Sequence, residues 1–123
     1  MYLHIDDRLT IGEVEERFSD CFPSLRIAFY SRPHKKYEAT DKHYRYPANK
    51  RLEEIRHNHV NIPYEIKSWF TVARVERELK EIYGLNVQVF RCDKAGNLIQ
   101  TTLSDNFTLQ QQNDFAYDTE LKG

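Results

Sequence analysis

Residues 71–91 read Thr71-Val-Ala-Arg-Val-Glu-Arg-Glu-Leu-Lys-Glu-Ile-Tyr-Gly-Leu-Asn-Val-Gln-Val-Phe-Arg91. A Gly-containing turn follows, then Leu98-Ile-Gln-Thr-Thr-Leu103 and Thr108-Leu-Gln-Gln-Gln112. Val72, Val75, Leu79 and Tyr83 recur at the spacing of one helix face. Gly84 is the residue that closes a helix through positive φ. Leu85, Val87 and Val89 then alternate with Asn86, Gln88 and Phe90, the period of a strand. Cys92-Asp93-Lys94-Ala95-Gly96-Asn97 suits a hairpin loop closing through a left-handed residue. The stretch therefore predicts helix 71–83, a strand, a hairpin, a second strand and a short helical turn. Thr108 with Gln111 offers that turn a capping box.

A second stretch nearer the start repeats this order. Thr10 and Glu13 form a capping box, and Thr71 starts the second helix where Thr10 starts the first. Ile11, Val14, Phe18 and Phe22 match Val72, Val75, Leu79 and Tyr83 at a constant spacing of 61 residues. Pro23 stops this helix, since proline cannot continue it. Leu25, Ile27 and Phe29 alternate with Arg26, Ala28 and Tyr30, the period of a half-buried strand, and match Leu85, Val87 and Val89, one residue shorter in spacing. Tyr2–Ile5 and Tyr64–Lys67 are matching strand candidates upstream. Asn49-Lys50-Arg51-Leu52 resembles Asn106-Phe107-Thr108-Leu109 downstream, and each leads into a polar helical turn, Glu53–His57 and Gln110–Asn113. We expect pseudo-duplicated βαβ(β) halves, about 1–59 and 60–113, with a frayed tail over 114–123.

The expected fold class is α+β: a single domain over 1–123, with an antiparallel or mixed sheet carrying both amphipathic helices on one face. The length, 123 residues, suits one domain. A chain this long buries roughly two-thirds of its unfolded surface, so it needs neither disulfide nor metal to stand. Its apolar and charged fractions, 40% and 30%, belong to a globular soluble protein. Met1–Arg8 lacks a cationic stretch followed by a greasy one, and no apolar run approaches a membrane span. We expect a cytoplasmic chain with no membrane partner, as monomer or homodimer. Cys21 and Cys92 are expected as free buried thiols.

The net charge of −1 gives no overall pull toward nucleic acid. The charge is nevertheless uneven, because residues 30–59 hold eight Lys or Arg against four Asp or Glu, and four of the five histidines. Within this block the segment 31–46 takes the place of the second stretch's clean hairpin. We read it as a long, basic, partly extended excursion ended by Pro47. Arg32, His34, Lys35, Lys36, Tyr37, Lys42, His43, Tyr44, Arg45 and Tyr46 are the candidate binding residues. Cations that contact phosphates beside rings that stack on bases are the composition of a single-strand nucleic-acid groove. Tyrosine-rich surfaces also anchor protein partners.

Catalytic constellations are thin. The chain has four glycines and no phosphate-binding loop, and no Gly-x-Ser-x-Gly turn frames a serine. His57 and His59 would share one face of a strand and so present a metal pair. No second pair stands at ligand spacing and no Cys-x-x-Cys occurs. We therefore expect no cofactor and no metal. The carboxylates of both helices are expected on solvated faces, and Trp69 beside Phe70 is expected to staple the second helix to the sheet. The leading function is a non-catalytic binding or adaptor module with a protein partner. The alternatives are nucleic-acid binding by segment 30–51 and a small enzyme or metal site at His57 and His59.

Two resemblances accompany this reading. The pattern from Thr71 to Leu109 resembles the helix-to-end portion of ubiquitin-like β-grasp domains. Leu121-Lys122-Gly123 is not the double glycine that conjugation uses, so no modifier role is implied. Across nearly the whole chain, Phe22-Pro23-Ser24-Leu25, Phe29-Tyr30-Ser31-Arg32-Pro33-His34, Gly84–Arg91 and Thr101-Thr102-Leu103-Ser104-Asp105 are similar to a family of small uncharacterised bacterial proteins. That likeness implies no activity and no catalytic residues.

Overall fold

The structure, a computed structural model, describes residues 8–32, 44–56, 64–92, 95–100 and 106–114. The elements run α1 (Ile11–Cys21), β1 (Leu25–Tyr30), α2 (Leu52–Ile55), α3 (Val72–Tyr83), β2 (Asn86–Cys92) and β3 (Leu98–Gln100). Residues 109–114 are also helical. This is a small α+β arrangement. None of its helices, among the described residues, is long and apolar enough to cross a membrane.

Helices α1 and α3 and the helical turn 109–114 each start where a threonine supplies the missing acceptor for an orphan amide. Thr10 accepts from Glu13 N–H, and the Glu13 carboxylate accepts from Thr10 N–H. Thr71 accepts from Arg74 N–H at 3.0 Å. Thr108 and Gln111 make the same reciprocal pair as Thr10 and Glu13, at 3.0 and 2.9 Å. At the other end of α3, Gly84 adopts φ 69°, where a side chain would be strained.

The three strands lie in the order β1-β2-β3, all antiparallel. In the β1–β2 ladder Ile27 faces Val89, Ala28 faces Gln88 and Phe29 faces Val87. Leu25, Ile27, Phe29, Val87 and Val89 thus share one face. They form one apolar interior with Ile11, Val14 and Phe18 of α1 and Val72, Val75, Leu79 and Tyr83 of α3. Both helices cover the same face of the sheet. Arg56, directly after α2, is buried with its guanidinium 4.8 Å from the centre of the Tyr83 ring. Burial pushes the Tyr83 hydroxyl above its ordinary range, with the Arg56 charge opposing.

The two helix–strand stretches are stitched by the same backbone bonds. Thr10 bridges Arg51 as Thr71 bridges Thr108. Ile11 N–H donates to Lys50 C=O, and Val72 N–H to Phe107 C=O, at 2.8 and 3.2 Å. Leu52 N–H donates to Leu9 C=O, and Leu109 N–H to Phe70 C=O, both at 2.9 Å. In the ladder, Ala28 faces the residue that occupies its own position in the second stretch, Gln88.

Several expectations are corrected. β1 is not half-buried: Ala28, Tyr30 and Phe90 form a second buried cluster on the opposite face of the sheet. Gln88 lies among them, fully buried, with neither amide atom hydrogen-bonded. Residues 64–67 belong to no strand. Tyr64 and Ile66 are buried in the interior, so their alternation reflects packing rather than a ladder. The helical turn expected over Glu53–His57 is present as α2 but is shifted, starting at Leu52 and ending at Ile55 with Arg56 as its C-cap, and His57 lies outside the described residues. Both thiols are free, but Cys21 is exposed and Cys92 half-exposed. Cys21 falls at the edge of the α1 apolar stripe, on its last residue. Trp69 is 60% exposed, and the buried aromatic at that corner is Phe70. The strand expected over Tyr2–Ile5, residues 101–103 and the tail from 115 onward lie outside the described residues.

Candidate functional site

The basic excursion departs from the end of β1 and returns beside it. Ser31 N–H donates to Tyr44 C=O and Tyr46 N–H donates to Phe29 C=O, both at 2.8 Å. Between them Tyr30 bridges Arg45 in antiparallel fashion. The loop is therefore clamped at its base to the edge of β1 opposite β2. Gly12 makes room for the next few residues. Its N–H donates to Ala48 C=O at 2.9 Å, and a Cβ added there would lie 3.2 Å from the Ala48 Cβ.

Four of the ten candidate residues fall in this clamp: Arg32, Tyr44, Arg45 and Tyr46. His34, Lys35, Lys36, Tyr37, Lys42 and His43 lie outside the described residues, as do His57 and His59. Arg32 and Tyr44 meet across the neck of the loop, with the guanidinium 4.3 Å from the ring centre. Tyr44 stays 37% exposed. Arg45 reaches Glu15 of α1, Nη2 to Oε2 at 3.5 Å. Tyr46 is half-buried and packs against the interior.

Glu15, Arg45, Tyr46, Pro47 and Ala48 line a recess of about 350 Å³. Burial raises the Glu15 carboxyl above its ordinary range, and the nearby Arg45 charge only partly offsets this. Burial likewise raises the Tyr30 hydroxyl, opposed by Arg45 and reinforced by Glu15. A carboxylate and a guanidinium in loose single contact leave both groups able to exchange partners. The recess thus offers one acceptor and one donor fork to a visiting group.

Glu15 was expected on a solvated face. It stands four residues after Ile11, at the border of the apolar stripe, and that position half-buries it. The matching position in the second stretch, Glu76, accepts the Val89 N–H of β2 at 3.1 Å. The two stretches differ in this use of one carboxylate. In the second it secures a strand amide, and in the first it faces the loop. Among the described residues no group of three or more His, Cys, Asp or Glu is placed to hold a metal ion.

Fold and site together define a small α+β scaffold with a basic loop clamped to one sheet edge. Comparison with protein-family models, with curated protein sequences and with solved structures finds no match.

Proposed function

We propose that the chain is a non-catalytic binding or adaptor module that meets a protein partner through the basic loop and the recess at its base. The observation that carries this is the clamp. Ser31–Tyr44 and Tyr46–Phe29 bonds fix both ends of the loop on the β1 edge. Loops held in this way are where scaffolds concentrate binding residues. The geometry gives less support to nucleic acid. Arg32 covers a face of the Tyr44 ring on which a base would stack, and the Glu15 carboxylate beside Arg45 would repel a phosphate.

The test replaces residues 33–43 with a short glycine turn and compares, side by side, what the two proteins recover from a cell extract. We expect the variant to fold and to lose specific partners. Undiminished recovery would remove the loop from the interface. We also propose that halves of about 1–59 and 60–113 form one domain that arose by duplication. The matched bridges and backbone bonds at Thr10 and Thr71 support it.

A further inference from the structure

Trp69 is the most exposed large apolar side chain among the described residues, at 60%. A lone surface ring needs no explanation, but the setting of this one does. Arg74, in the first turn of α3, lays its guanidinium 3.8 Å from the centre of the Phe70 ring and 5.3 Å from that of Trp69. Its Nε donates to Glu78 one turn further on. The fork is fixed by a ring beneath it and a carboxylate behind it. Among the described residues no acceptor meets its terminal nitrogens, and the side chain remains 38% exposed. A guanidinium held in one orientation offers two parallel donors to a planar carboxylate with little rotamer entropy left to lose.

We infer that Trp69, Phe70 and Arg74 form a docking seat for an acidic segment of a partner protein. The terminal nitrogens of Arg74 take one carboxylate end-on, and the neighbouring apolar side chain of that segment lies on the exposed indole. Charge complementarity selects this occupant over a nucleic acid. Helix α3 sets Arg74, Arg77 and Lys80 against Glu76, Glu78 and Glu81, so the seat has no extended positive field for a phosphodiester backbone. One fork beside one ring fits one carboxylate beside one apolar group. Trp and Arg are also the residues that most often carry binding energy between proteins. The first stretch has no such seat. The positions matching Trp69, Arg74 and Glu78 are Arg8, Glu13 and Arg17, and Glu13 is spent on the Thr10 cap. The seat is separate from the clamped loop and does not depend on the role given to it.

Trp69 is the only tryptophan in the chain, so fluorescence excited at the red edge, where the eight tyrosines do not absorb, reports on the seat alone. The experiment titrates the full chain with acetyl-Ala-Glu-Leu-Ala-amide and with its glutamine counterpart, following Trp69 emission. The expected result is a saturable shift to shorter wavelength with the glutamate peptide and none with the glutamine peptide. Arg74→Gln is expected to abolish the shift. Arg74→Lys, which keeps the charge but not the fork, should weaken it about tenfold. The inference is overturned if neither peptide saturates, if both act alike, or if either Arg74 variant responds as the parent does. It is also overturned if a short single-stranded oligonucleotide gives the saturable shift and the glutamate peptide does not.

Discussion

Gln88 shows how far a single side chain can depart from the pattern around it. It sits at the middle of the β1–β2 ladder, opposite Ala28, on the face that also buries Tyr30 and Phe90. A buried amide with no partner costs roughly 1–3 kcal/mol for each orphaned group. Gln88→Met keeps the shape and removes the polar atoms, so it should raise stability by about 1–3 kcal/mol in a urea melt. A loss of stability would mean that the amide is satisfied. Glu15 allows a second test. Its folded carboxyl is raised by burial, so folding favours the protonated form. Its contribution to stability is present below the ordinary carboxylate range and is lost as pH rises through the raised value. Glu15→Gln should therefore be at least as stable as the parent at neutral pH, and the difference should shrink as the solution is acidified. Melts at a series of pH values check this, and a gap that widens toward acid would contradict it.

The helices were the most legible elements, because helix signals are local. The stripes Ile11-Val14-Phe18 and Val72-Val75-Leu79-Tyr83 and the three threonine caps could be read residue by residue. All are present in the structure. Thr10→Ala and Thr71→Ala should each cost about 0.5–2 kcal/mol. Gly84→Ala, forced to φ 69°, should cost about 1–2 kcal/mol. Thermal melts of the three variants would show the losses, and a neutral Gly84→Ala would argue against the left-handed cap. What failed to show in the sequence was set by distant contacts. Tyr64 and Ile66 alternate like a strand yet pack without a ladder. Trp69 and Phe70 are adjacent aromatics, and only the fold decides that Phe70 goes inward. Glu15 could not be read as part of the loop's recess, because Arg45 reaches it from thirty residues away. The clamp itself arises from backbone atoms of Ser31, Tyr44 and Tyr46, which carry no sequence signature.

For the molecule as a whole, the decisive feature is that α1 and α3 drain into one interior over one face of the sheet. That shared interior holds the β1 edge to which the loop is clamped. Equilibrium urea unfolding of Val14→Ala, followed by Trp69 fluorescence and by far-ultraviolet circular dichroism together, tests it most directly. The substitution is in α1 and the reporter is beside α3, so the two communicate through the common core and the β1–β2 ladder beneath it. The expected result is one transition by both probes, shifted to lower urea by a loss of about 2 kcal/mol. A Trp69 transition left where the parent has it, while the dichroism splits into two steps, would contradict the shared interior.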